Sequence, residues 1–181
     1  MRYAQIRSTD ISNGEGIGVS LFVQGCPFHC KGCFNSETWD FNGGEQWTAD
    51  KLNEFITLAE QPFVKRISIL GGEPLCGENL PEVLSLIEEI RSTFPTKNIW
   101  LYTGFTWEEI MFPVVTNDFN PERDLTMTLR KQIVYNTDIL VDGRYEENVR
   151  DLSLAFRGSK NQRVIDVQES LKQGKVVLYM E

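Results

Sequence analysis

The stretch IGVSLFVQGCPFHCKGCFN, residues 17–35, joins two different kinds of sequence. Its first part alternates, with Val19, Leu21 and Val23 on one face, and predicts a β-strand over residues 17–24. Its second part places Cys26, Cys30 and Cys33 within eight residues, spaced C-x3-C-x2-C, with no second cysteine cluster later in the chain. A strand that runs straight into a cysteine loop puts a ligand-bearing loop at the carboxyl end of that strand.

Three thiolates on one short loop can hold three corners of a cubane iron–sulfur cluster and leave the fourth iron without a protein ligand. An ordinary electron-transfer cluster is capped by four cysteines. An open iron can bind a substrate, as the open position of a catalytic zinc does. Two other readings stand beside this one. The first is a structural zinc site with His29 or Cys76 as fourth ligand, although such sites usually take two spaced ligand pairs. The second is a disulfide or incidental cysteines. The first residues, Met1-Arg2-Tyr3-Ala4-Gln5, carry no apolar signal segment, so the expectation is a cytoplasmic chain with reduced thiols.

Working outward, 181 residues are enough for one domain with a sizeable core, and no linker, repeat or low-complexity segment divides them. Hydrophobic content of 41% with 24% charged residues is that of a globular protein. No apolar run is long enough to cross a bilayer, so no membrane role is expected. The net charge of −8, from 18 basic and 26 acidic residues, argues against a nucleic-acid partner, which draws on basic patches.

Strands and helices alternate along the chain. Thr48 is a helix N-cap before Leu52, Phe55, Ile56 and Ala59. RISIL, 66–70, reads as a buried strand ended by Gly71-Gly72. Pro81 opens a helix whose face is Leu80, Val83, Leu84, Ile87 and Ile90. NIWLYT, 98–103, is a third strand, and Thr106-Trp107-Glu108-Glu109 has the form of a capping box. A helix over about 121–134 precedes DILVDG, 138–143, a fourth strand; 164–167 and 175–180 are candidates for two more. This order predicts an α/β fold with parallel βαβ units. The cysteine loop, Gly71-Gly72-Glu73-Pro74, Tyr102-Thr103-Gly104 and Asp142-Gly143-Arg144 each follow a strand, and the carboxyl edge of a parallel sheet is where ligands bind.

GGEP alone can be a plain strand-to-helix turn. Its functional reading is that glycines let backbone approach a ligand closely, while Glu73 accepts hydrogen bonds from an ammonium group.

With the cysteine triplet after the first strand and GGEP after the second, the chain resembles the radical S-adenosylmethionine enzymes. Within them it is most similar to the activating proteins of anaerobic (class III) ribonucleotide reductases. The segments that carry the resemblance are residues 20–35, ETWDF (37–41), LGGEPL (70–75), LYTGFTWEE (101–109), DILVDGRY (138–145) and FRGSKNQRVIDV (156–167), most of the chain. The resemblance implies a compact single domain over 1–181 whose parallel sheet forms a partial, open β/α barrel. It implies a [4Fe–4S] cluster on Cys26, Cys30 and Cys33, with S-adenosyl-L-methionine chelated at the open iron by its amino and carboxylate groups. Gly71, Gly72 and Glu73 would lie along the methionine moiety, and Thr103, Asp142 and Arg144 where relatives contact ribose or carboxylate. Reductive cleavage would give a 5′-deoxyadenosyl radical, which takes hydrogen from a glycine Cα on the large reductase subunit and leaves a glycyl radical. A low-potential donor such as flavodoxin would supply the electron.

The chain departs from the family pattern at several positions. Gly32 stands where many radical S-adenosylmethionine enzymes carry an aromatic residue, which passes adenine packing to another group such as Phe34. Glu15 and Gly18 stand where relatives often have proline and arginine. Cys76 reads as a small core or loop residue, and His29, the sole histidine, as a surface or cluster-shielding residue. Phe22, Phe41 and Trp47 read as core. The block Arg157–Arg163 is either a solvated basic loop or a contact with cofactor or partner. Three function classes follow: the reductase activase, another small radical S-adenosylmethionine enzyme acting on a small molecule or a different glycyl-radical protein, and a non-catalytic iron–sulfur or zinc protein.

Overall fold

Helices gather on one face of a single mixed sheet, and loops are left to cover the other. The computed structural model describes residues 1–114 and 120–180. In chain order the elements are β1 (Arg2–Asp10), β2 (Gly18–Val23), β3 (Glu45–Gln46), α1 (Ala49–Glu60), β4 (Arg66–Gly71), α2 (Leu80–Thr93), β5 (Asn98–Tyr102), α3 (Trp107–Met111), α4 (Pro121–Tyr135), β6 (Ile139–Asp142), β7 (Arg163–Asp166), α5 (Val167–Gln173) and β8 (Leu178–Met180). The eight strands lie in the order β3-β1-β2-β4-β5-β6-β7-β8. The central four, β2, β4, β5 and β6, are parallel.

The flanks differ from the all-parallel expectation. β1 runs antiparallel to β2, and β7 and β8 add antiparallel strands beyond β6. The sheet is thus mixed α/β and, among the described residues, unclosed, with β3 and β8 as its edges. Sequence patterning overlooks β1 because polar residues interleave irregularly in RYAQIRSTD, a strand with little of its surface buried. It also overlooks α5, which starts where the strand expected at 164–167 ends: Asp166 caps its first turn and left-handed Gly174 closes it.

The expected caps form. Thr48 accepts from the Lys51 amide, and Thr106 and Glu109 make both bonds of a capping box. Val19, Leu21, Ile67, Ile69, Ile99, Leu101 and Leu140 pack with Phe55, Val83, Ile87, Ile90, Trp107 and Ile133 in one fully buried core between sheet and helices. The alternate strand residues face the other way. Trp100, Ile139, Val141 and Val164 form a smaller cluster there, which Tyr102 and Phe156 flank.

Register places the loops. Val23 pairs with Gly71, Ile69 with Leu101 and Tyr102 with Val141. The cysteine loop, GGEP, Thr103-Gly104 and Gly143-Arg144 therefore leave the sheet side by side.

Candidate active site

Those loops surround one cavity of about 520 Å³ on the helix-free side of the sheet. Cys26, Cys30, Cys33, Gly71, Gly72, Glu73, Thr103 and Arg144 all line it. Asp142 is the expected site residue absent from that lining. Its buried carboxylate accepts from Arg163 at both oxygens and from the Trp107 amide at 2.7 Å. It holds the start of α3 and the β7 arginine rather than facing the cavity.

The cysteine loop is built by close approaches. The Gly25 amide donates to Thr38 O at 2.8 Å and the Cys26 amide to Trp39 O at 3.1 Å. Gly25 has φ +92°, and a Cβ there would collide with the ring of Phe41. His29 is exposed, adopts φ +46°, stacks on Trp39 at 4.7 Å and does not line the cavity. Lys31 pairs with Glu147 at 2.9 Å and ties the loop's far end to the segment after β6.

GGEP docks on the same loop. The Gly72 amide donates to Val23 O at 2.8 Å and the Glu73 amide to Gly25 O at 2.7 Å. Asn79 donates to both Gln24 O and Glu73 O, at 3.0 and 3.1 Å. Gly71 has φ +102° and a Cβ there would lie 2.8 Å from the Phe22 backbone; a Cβ on Gly72 would drive into the Gly25 carbonyl. Gly71 is needed where β4 packs on β2 and Gly72 where the two loops meet, whereas the sequence pattern suggests close approach to a ligand.

Glu73 is the buried carboxyl group of the cavity. One carboxylate oxygen accepts from Thr103 Oγ1 at 2.7 Å and the Leu75 amide at 2.8 Å; the other accepts from the Gly104 amide at 2.7 Å. Burial pushes its pKa up to about 7, against the pull of those donors and of Arg130. Arg144 pairs with Glu109 at 3.1 Å and lies 4.3 Å over the ring of Phe28.

Burial also raises the thiol pKa of Cys26, with Glu73 and Cys30 adding negative potential, and that of Cys30, with Cys33 adding to it. Amides of Phe28 and His29 at Cys26, and of Tyr145 at Cys30, pull in the other direction. Clustered thiols of this kind are held neutral until a cation compensates them, which is the chemistry of a metal-cluster donor set.

Comparison with known proteins agrees with this donor set. Residues 12–165 match the family model of the 4Fe-4S single cluster domain. The chain is 36% identical over 166 residues to the "Anaerobic ribonucleoside-triphosphate reductase-activating protein" of Escherichia coli (strain K12), covering 91% of this chain and 97% of that protein. The proteins of the same name from Vibrio cholerae (serotype O1) and Enterobacteria phage T4 are 35% and 32% identical, over 90% and 91% of this chain and 96% and 93% of theirs. The chain belongs to the family of anaerobic ribonucleoside-triphosphate reductase-activating proteins.

The cavity of this family member fits a three-cysteine cluster better than a single metal ion. Among the described residues, no three His, Cys, Asp or Glu side chains converge to hold one ion. That weighs against mononuclear zinc, whereas the corners of a cubane are separate irons and take thiolates that stand apart. Cys76 is buried outside the cavity lining, its thiol pushed up to about 12 by burial and by Glu73 and Glu78.

Sequence reasoning missed two arginines that support the site, one half-buried and one fully buried. Arg130 of α4 donates to Leu75 O at 2.8 Å and lies 4.0 Å over Phe105. Arg66, 1% exposed, binds the Asp10 carboxylate at 3.3 Å and the backbone oxygens of Asp10, Asn13 and Glu15. It fixes the 10–17 loop, from which Ser12 and Asn13 reach the cavity. A Cβ on Gly18 would lie 2.7 Å from the Arg66 guanidinium carbon. Arg66 thus fills the space that an arginine at position 18 would need. Its signal in the sequence was a charged residue opening an otherwise apolar strand.

Proposed function

We propose that this chain activates an anaerobic ribonucleoside-triphosphate reductase by generating a glycyl radical on its large subunit, and that residues 1–181 act as one domain with a partial, open β/α barrel of the radical S-adenosylmethionine type. The observation that carries the proposal is the cavity lined at once by Cys26, Cys30, Cys33, Gly71, Gly72, Glu73 and Thr103, in a chain of this family. A [4Fe–4S] cluster held there would supply the electron for cleaving S-adenosylmethionine to methionine and a 5′-deoxyadenosyl radical, the species that would take hydrogen from the glycine Cα.

The remaining work falls to the chain. Cys26, Cys30 and Cys33 would hold the cluster through their thiolates. Gly71 and Gly72 bring the GGEP turn against the cysteine loop, so that cluster and methionine moiety share one rigid wall. Glu73 keeps lone pairs on its Gly104-bonded oxygen free for an ammonium group, and Thr103 orients it. Arg144 offers its guanidinium to a carboxylate or ribose at the mouth, and Asp142 acts at one remove by fixing Arg163 and α3. A low-potential donor such as flavodoxin reduces the cluster, and the protein works in the cytoplasm. No helix among the described residues is long and apolar enough to cross a membrane.

The test is anaerobic reconstitution with iron and sulfide, reduction, and addition of S-adenosylmethionine. The expected products are 5′-deoxyadenosine and methionine in equal amounts. A reconstituted, reduced protein that leaves S-adenosylmethionine intact in the presence of the reductase would contradict the proposal.

A further inference from the structure

The segment Phe156–Arg163 divides into three parts with different surroundings. Arg163 is an architectural residue, paired with Asp142 and Glu108. Lys160 lies in solvent beside Asp151. Arg157 lines the cavity, and its Nε is buried without a hydrogen-bond partner. Among the described residues the other two cavity arginines have carboxylate partners, Arg144 with Glu109 and Arg7 with Asp10; Arg157 has none. A half-buried guanidinium with idle donors is costly to maintain in a folded chain unless something outside the chain accepts from it.

The turn that presents Arg157 is rigidly made. Phe156 adopts φ +60°, a left-handed conformation unusual for a bulky residue, and packs edge-on to Trp100 at 5.1 Å. Gly158 donates to Gln162 Oε1 at 2.9 Å, and its carbonyl accepts from Asp151. Leu152, 73% exposed, stands at the mouth on the same side.

Resting on the activase reading above, we propose that Arg157 recognises the main-chain carbonyls of the partner's glycine-bearing loop as it enters the cavity. A glycine has no side chain to recognise, so recognition falls on the main chain of its loop, whose carbonyls are acceptors. Arg157 brings donors to them in a planar fork. It has no carboxylate partner in the free chain, and Leu152 offers apolar contact beside it.

The experiment measures, with reconstituted protein and S-adenosylmethionine present, the affinity of a synthetic peptide spanning the reductase's glycine loop, its acidic side chains replaced by amides. Arg157→Gln is expected to weaken binding at least about tenfold, the scale of a lost hydrogen bond to a charged group. Lys160→Gln is expected to leave it within about twofold. Peptide binding by Arg157→Gln equal to that of the unaltered chain, an equal loss from Lys160→Gln, or no binding of the uncharged peptide to the unaltered chain would each overturn the proposal. Failure of the activase reading would show itself separately, as an unaltered chain that cleaves no S-adenosylmethionine.

Discussion

Gly72 meets Gly25 backbone to backbone: the Glu73 amide donates to the Gly25 carbonyl at 2.7 Å, and a Cβ on Gly72 would drive into that same oxygen. The cysteine loop and GGEP are therefore one packed unit. Gly72→Val must push the two apart, at a cost of about 1–3 kcal/mol for overpacking. The variant is expected to lose iron content and S-adenosylmethionine affinity together, measured on the same reconstituted sample. Full iron content with only the cofactor affinity reduced would mean that the side chain enters the cavity instead.

The donor set makes a sharper distinction among the cysteines. Cys30→Ala is expected to abolish the brown colour and iron binding of the reconstituted protein. Cys76→Ala, whose thiol lies buried outside the cavity, is expected to keep both. Equal loss in the two variants would make Cys76 a ligand and close the fourth iron.

Glu73 gives a pH dependence with a defined sign. Its pKa is raised from the ordinary 4.5 to about 7, so the folded chain binds a proton that the unfolded chain has released across that window. Its contribution is fully present below the unfolded pKa and is lost as pH rises through about 7, by roughly 3 kcal/mol. Denaturant melts of the cluster-free protein from pH 4.5 to 7.5 should show this fall relative to Glu73→Gln. Parallel pH profiles for the two would place an ionised Glu73 in the folded state throughout.

Arg66 tests the floor beneath the site. Removing it leaves the Asp10 carboxylate, 3% exposed as a residue, without its cation and frees the carbonyls of Asn13 and Glu15. Arg66→Ala is expected to destabilise the chain by about 3–5 kcal/mol, read from chemical denaturation. A loss below about 1 kcal/mol would show that water replaces the guanidinium.

The sequence made the helical half of the fold and the site edge readable for physical reasons. Val19, Leu21 and Val23, with the period-3.6 face of Leu80, Val83, Ile87 and Ile90, mark strands and helices buried against each other. Glycine turns mark where those strands end. What escaped were features set by partners distant in sequence. β1 exists because β2 offers it an edge, not because its own residues alternate. The roles of Asp142 and Arg163 depend on a pairing across 21 residues, and that of Arg66 on a loop 50 residues earlier. Gly72 was legible as a close approach, but not as one toward Gly25.

The most direct measurement of the central claim uses a reductase large subunit whose glycines carry deuterium at Cα. Incubated anaerobically with the reduced protein and S-adenosylmethionine, it should develop the EPR signal of a glycyl radical, and the 5′-deoxyadenosine formed should carry one deuterium. Cofactor cleavage that leaves the reductase EPR-silent and the 5′-deoxyadenosine unlabelled would contradict the account.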